Sequence, residues 1–94
     1  MKNNYNNEKY LFQLFVNKNS ILASRSIKNC RIIFDKYLNK NYELDIIDIY
    51  EHPEKTIKEQ IIAIPTLIKK SPLPEVRLTG DLSDTEKVVN ELIY

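Results

Sequence analysis

Apolar residues in this chain follow two rhythms, and the switches between them predict the order of its elements. Tyr10 to Val16 is a near-continuous apolar run broken by Gln13, as expected for a buried central strand. From Ile21 onward, Ala23, Ile27, Cys30, Phe34, Tyr37 and Leu38 recur at three- and four-residue spacing. That predicts an amphipathic helix, with Ser20 as its N-cap and Asn39-Lys40-Asn41 as its end. Between Tyr42 and Tyr50 the period shortens again, with Leu44, Ile46 and Ile49 inward and acidic residues interleaved. Pro53 suits the first turn of a second helix, on which Ile57 and Ile61 lie one turn apart.

The stretch IIAIPTLIKKSPLPEVRLTGDLSD, from Ile61 to Asp84, holds three of the four prolines and the only glycine. A proline donates nothing to a ladder and belongs at a strand's first residue, so Pro65 predicts entry into a strand through Thr66-Leu67-Ile68. The Ile64-Pro65 bond is a candidate cis peptide. Ser71-Pro72-Leu73-Pro74 then separates that strand from Val76 to Leu78 at hairpin spacing, and Gly80 closes the pair. Ser83 with Glu86 reads as a capping box for a last helix over Asp84 to Leu92. Leu82, Val88, Val89, Leu92 and Ile93 give that helix its apolar face. The order is β-α-β-α-β-β-α, a parallel pair followed by an antiparallel pair. This is a thioredoxin-like α/β arrangement, a mixed four-stranded sheet with three helices. Residues 10–94 form one domain behind a disordered or loosely packed lead, residues 1–9.

Composition removes several classes of function. The formal net charge is +1, with Lys and Arg spread along the chain, so nucleic acid is not an expected partner. No apolar run is long enough to span a membrane. The start MKNNYNNEK is polar and lacks the apolar core of a signal peptide, so the cytoplasm is the expected location.

Candidate chemistry is thin. A thioredoxin-like enzyme would place a thiolate at the turn after the first strand, where the helix dipole lowers its pKa. That turn reads Asn17-Lys18-Asn19-Ser20 and has no cysteine; the single Cys30 falls on the apolar face of the first helix. His52 lacks companions for metal ligation. Asp45 and Asp48 sit on opposite strand faces, a poor acid-base pair. Asp81 and Asp84 fit the cap and dipole of the last helix. Neither a catalytic set, a cofactor nor a metal site is expected. For binding, Arg25, Lys69, Lys70 and Arg77 read either as a basic recognition surface beside an edge strand or as solvated charges that protect that edge. Tyr50 and Tyr94 are candidate interface anchors.

The run PTLIKKSPLPEVRLTGDLSDTEKVV resembles the corresponding part of the KaiB family of bacterial circadian-clock proteins. The likeness extends back through Leu11 to Val16 and Tyr42 to Tyr50, covering roughly residues 10–94. It rests on Pro65-Thr66-Leu67, Pro72, Pro74, Arg77, Gly80-Asp81-Leu82-Ser83-Asp84 and Glu86-Lys87-Val88, with Arg25 where the family tends to have arginine.

The resemblance implies a non-catalytic module that binds a KaiC-type ATPase or a related signalling kinase. A thioredoxin-like adaptor in two-component or stress signalling, without a clock role, is the alternative. It also implies two available folds, the thioredoxin-like form and a tetramer-forming one with residues 50–94 rearranged, so a homo-oligomer is a further candidate partner. Fold-state determinants on this view are Pro65, Gly80, Asp81, Ser83, Asp84, Glu86 and Glu91. The chain departs from the family's pattern at Asn17 to Ile21, where Gly and Pro are usual, at Asp45 and Gln60, where lysine is common, and at Glu91-Leu92-Ile93. Replacing an interior helical Gly at that last segment favours helix by about 1 kcal/mol, and so favours the thioredoxin-like state.

Overall fold

A computed structural model of the chain describes residues 8–93. The elements are β1 (Tyr10–Val16), α1 (Ile21–Leu38), β2 (Tyr42–Asp48), α2 (Pro53–Lys58), β3 (Thr66–Ser71), β4 (Val76–Thr79) and α3 (Thr85–Leu92). The sheet order is β2-β1-β3-β4. β1 runs parallel to β2 and antiparallel to β3, which is antiparallel to β4. The thioredoxin-like order expected from the pattern is the order observed.

Alternation along β1 divides the interior in two. Phe12, Leu14 and Val16 face α1 and α3, joining Leu67, Leu78, Ala23, Cys30, Ile33, Phe34, Val88, Val89 and Leu92 in the main core. Phe12 and Phe34 stack with centroids 4.0 Å apart, and Tyr42 meets Phe34 edge-on at 5.3 Å. The opposite face buries Phe15, Ile47 and Ile68, covered by Ile49 and Ile61 on either side of α2. Within α1, Ile33 is buried although the three-four count skipped it, and Tyr37 stays at the rim.

The helices begin and end where short polar residues allow. Ser20 caps α1 by accepting from the Leu22 N–H at 3.1 Å, and Asn39 and Lys40 end it in the left-handed region. α2 stops earlier than its sequence suggested. Gln60 takes φ 55, and the Gln60 and Ile61 N–H groups bond back to the Ile57 and Thr56 carbonyls at 3.0 and 3.1 Å. This Schellman turn points Ile61 into the small core and leaves Ile57 76% exposed, so the two do not share one helix face.

The Ile64-Pro65, Ser71-Pro72 and Leu73-Pro74 bonds are cis. Pro65 is buried at the mouth of β3, and its carbonyl accepts from the Gly80 N–H at 3.0 Å. Gly80 has φ 108, a conformation that glycine alone adopts without strain.

The cap of α3 is a correction. Asp84, not Ser83, is the N-cap, its carboxylate accepting from the Lys87 N–H at 3.1 Å. Ser83 is held upstream, its N–H bonded to the Asp81 carboxylate at 3.1 Å. Counted from Asp84, Glu86 is the second helical residue, one short of the capping-box position. Asp84→Ala is expected to cost about 1 kcal/mol in urea unfolding, and Ser83→Ala less than about 0.5 kcal/mol. Glu91 is exposed on α3.

Of the expected loose lead, residues 1–7 lie outside the described residues. The Lys9 ammonium pairs with Glu43 at 2.9 Å, and the Glu8 carbonyl accepts from the Asn41 amide at 3.3 Å.

Candidate partner-binding surface

Four loops converge at one end of the sheet: residues 17–20, 49–52, 61–65 and 79–84. Asp48 fixes the first two. Its carboxylate, at the last residue of β2, accepts from the Lys18 N–H at 2.8 Å, the Tyr50 N–H at 3.1 Å and the Glu51 N–H at 2.9 Å. These bonds, led by the one from Lys18, hold its carboxyl below the usual range. Across the same two loops, Lys18 pairs with Glu51 at 2.9 Å. On the far side, Asn29 of α1 donates to the Asp81 carbonyl at 2.8 Å. The Asp81 carboxyl is held down by its hydrogen bonds from Ser83, with help from Arg25.

The four basic residues singled out in sequence do not form one surface. Lys70 and Arg77 come together on the α2 side of the sheet. There the Lys70 ammonium lies 3.0 Å from both Glu59 and Glu75. Arg77 donates to the Glu59 carboxylate at 3.2 Å and to the Glu59 carbonyl at 2.6 Å, clasping the chain just after α2. Lys69 points through the other face; it is 7% exposed, with its ammonium 5.9 Å from the centre of the Tyr10 ring. It is therefore not a solvated edge charge. Its stem is buried over the sheet and its head is set against an aromatic face. Arg25 is exposed on α1, beside the Asp81 loop and away from the Lys70–Arg77 pair.

Two neighbouring lysines diverge because successive residues of a strand point to opposite faces of the sheet, and β3 also carries a bulge here. Phe12 is opposite Lys69 but Leu11 is opposite Ser71, which leaves Lys70 as the extra residue. Sequence reasoning also missed the exposed isoleucines near Pro65. Ile62 is 98% exposed and Ile64 is 37% exposed, and with Ile49, Thr56, Ile61 and Ala63 they line a shallow concavity of about 170 Å³. Ile57 within α2 and Tyr50 just before it are also exposed. The signal was present in the run Ile61-Ile62-Ala63-Ile64: too short for both faces of a strand and preceding a proline, it cannot bury every side chain.

The single thiol lies away from the turn after β1. Cys30 is completely buried in the main core, and that burial pushes its thiol up to about 12. Alkylation of Cys30 is therefore expected to proceed no faster than global unfolding, and insulin reduction to stay at background. Turnover that survived Cys30→Ser would reveal another catalytic group. His52 lies 3.5 Å from Glu54. Among the described residues, no group of three His, Cys, Asp or Glu is placed to hold a metal ion. Likewise among them, no helix is long and apolar enough to cross a membrane. Tyr94 lies outside the described residues.

Comparison with known proteins places these features in a family. The KaiB domain model matches residues 13–92. The circadian clock protein KaiB3 of a Synechocystis strain is 38% identical over 79 residues, 84% of this chain and 78% of that protein. The circadian clock oscillator protein KaiB of Synechococcus elongatus is 38% identical over 80 residues, covering 85% of this chain and 78% of its own length. Among solved structures, the N-terminal domain of Synechococcus elongatus SasA superposes with a TM-score of 0.74 at 20% identity, over 96% of this chain and 85% of that one. The thioredoxin Deadhead of Drosophila melanogaster gives 0.69 at 18% identity, over 88% and 77%. At these identities the two structures speak to the fold alone. The chain belongs to the KaiB family and carries the thioredoxin-like fold.

Proposed function

We propose that this chain is a non-catalytic binding module of a circadian-clock-type system, acting in the cytoplasm, whose partner is a KaiC-type ATPase or a related signalling kinase. The observation that carries the reading is the KaiB match over residues 13–92, with relatives named as circadian clock proteins. Exposure supports it. Tyr50, Ile57, Ile62 and Ile64 offer apolar anchors around α2 and the Pro65 loop. Lys70 and Arg77 lie next to them, joined to that segment through Glu59. Arg25 supplies a second cation on the α1 side. A rim of this kind sets association rate and salt sensitivity more than it sets affinity.

The test is binding of the purified chain to a KaiC-type ATPase encoded in the same genome. Arg25→Glu with Arg77→Glu is expected to weaken binding by about tenfold or more and to flatten its salt dependence, with the circular dichroism of the fold retained. Unchanged affinity in the folded double variant would return these residues to plain solvated charges. Capture of a sensor kinase with no affinity for the ATPase would favour the signalling adaptor. Failure to bind either would overturn the reading.

A further inference from the structure

The helix-covered side of the sheet carries a groove of its own. Asn29 of α1 donates to the Asp81 carbonyl at 2.8 Å, where the chain approaches α3, and ties the two helices together there. Past this tie they part around a concavity of about 350 Å³. Val89, 5% exposed, lies at its base, with Tyr37 of α1 and Thr85, Glu86 and Asn90 of α3 around it.

The two banks differ in charge. On α1, Arg25, Ile32 and Lys36 are spaced seven and four residues apart, which places them in one line along the helix, within about 40° of arc. That line runs beside α3. Arg25 helps to hold the Asp81 carboxyl down, and the Lys36 ammonium stands 5.2 Å from the centre of the Tyr37 ring. Ile32, between the two cations, is 56% exposed. Neither cation makes an ion pair among the described residues. The one carboxylate of α1, on Asp35, accepts from the Tyr42 hydroxyl at 2.8 Å on the β2 side and so is turned from this line. The facing bank on α3 presents the exposed Glu86, likewise without an ion pair among the described residues.

We propose that this groove receives an acidic amphipathic helix of a partner protein. One leucine-sized side chain of its apolar stripe seats on Val89 beside Tyr37, and another covers Ile32. Glutamates along one flank meet Arg25 and Lys36, while Glu86 keeps acids from the other flank. The eleven residues from Arg25 to Lys36 span about 16 Å, which three turns of a helix match. A helix laid along two others packs side chains into the depression between them, and its apolar stripe is read at three- and four-residue spacing. A bilayer would need a broad apolar face, which α1 instead turns to the sheet, and a nucleic acid would bring phosphates against Glu86. The groove is independent of the ATPase reading, because it lies on the other side of the sheet from Ile62 and Ile64.

Amide NMR on the intact chain tests this with four blocked sixteen-residue helical peptides. Three share a leucine stripe and one glutamine flank, and carry glutamate, glutamine or lysine on the other flank; the fourth keeps the glutamates and replaces leucine with alanine. The glutamate peptide is expected to shift the amides of Ile32 to Tyr37 and Thr85 to Asn90 saturably, with a Kd on the order of 100 μM. The glutamine and alanine-stripe peptides should bind at least about fivefold more weakly, and the lysine peptide not at all. Lys36→Glu should weaken the glutamate peptide about tenfold and flatten its salt dependence, and Ile32→Ser about fivefold, with circular dichroism unchanged. Lys36→Gln, at about threefold, is the second variant should the reversed charge disturb the helix. Lys58→Glu, a charge reversal on α2, should leave binding as it was. Equal binding of the lysine peptide, shifts outside the groove, or indifference to Lys36→Glu, Lys36→Gln and Ile32→Ser would each overturn the proposal. So would the absence of saturable binding, or tighter binding at the same residues by phosphatidylglycerol vesicles or a single-stranded RNA dodecamer.

Discussion

Replacing Phe34 with alanine is expected to cost about 3–5 kcal/mol, the range for truncating a fully buried aromatic ring. Phe34 is fully buried on α1, stacked on Phe12 of β1 at 4.0 Å and met by the edge of Tyr42 from β2. One ring therefore fastens the long helix to both parallel strands. Its removal forfeits the transfer energy of the ring and leaves a cavity that a helix anchored at Ala23 and Cys30 cannot close. A domain of this size has roughly 5–15 kcal/mol of stability in total, so the variant should sit near the edge of unfolding at 37 °C. Phe34→Leu keeps part of the volume and should lose about 1–2 kcal/mol. Urea unfolding with an unchanged m-value is the measurement. A loss below about 1 kcal/mol for the alanine variant would mean that the aromatic stack does not bear on global stability.

Glu59→Ala should have the next largest effect, about 1–2 kcal/mol, and a more local one. The Glu59 carboxylate is 16% exposed and accepts from Lys70 and Arg77, whose side chains are 32% and 38% exposed. Solvent screening at the two cations keeps the figure below that of a buried ion pair. α2 buries none of its own side chains, so this network and Ile61 hold its C-terminal end to the sheet. Amide exchange in residues 53–61 should quicken in the variant while β1 and α1 stay protected. The pH dependence has a definite sign. Hydrogen bonds from Lys70 to Glu75 and Glu59 raise the lysine pKa above its ordinary 10.5. The stabilisation is therefore complete below 10.5 and is lost as pH climbs through the higher folded value. The gap between wild type and Glu59→Ala should accordingly narrow in strong alkali, and also at 1 M salt, where the screening length is about 3 Å. A gap independent of both would transfer the effect to the backbone turn at Gln60.

The sequence disclosed most of the fold because its main signals are local. The unbroken run of β1, the helical spacing from Ala23 to Leu38 and the prolines around β3 and β4 each act within a few residues. What escaped was set by partners distant in sequence. Lys69 and Lys70 look equivalent in the chain. Alternation puts them on opposite faces, and only the pairing of β3 with β1 decides that Lys69 takes the α1–α3 face and Lys70 the face with Glu59 and Glu75. Glu59 reads as one more helix-surface acid until Arg77 and Lys70 close on it. The α3 cap moved by one residue because Asp81 engages both the Ser83 hydroxyl and its N–H, leaving the Asp84 carboxylate to accept from the Lys87 N–H. At the C-terminus the local signal prevailed: α3 spans Thr85–Leu92, as the apolar face and the absence of an interior Gly or Pro suggested.

The anchoring of two loops by Asp48 bears on how freely the first turn can change. A turn that makes its own shape needs residues with special backbone freedom, and the resemblance implied Gly and Pro there. In this chain the turn is set largely from outside, by a carboxylate on β2 that fixes the Lys18 N–H, while the Asn17 side chain accepts from the Asn19 N–H at 3.1 Å. Asn17, Lys18 and Asn19 are then ordinary residues in a borrowed geometry. Sequence drift in the turn is cheap, whereas position 48 is stringent: asparagine would bring a donor to a site that needs three acceptances, and glutamate would overshoot by a methylene. The constraint on the turn thus resides in a strand end thirty residues away in sequence.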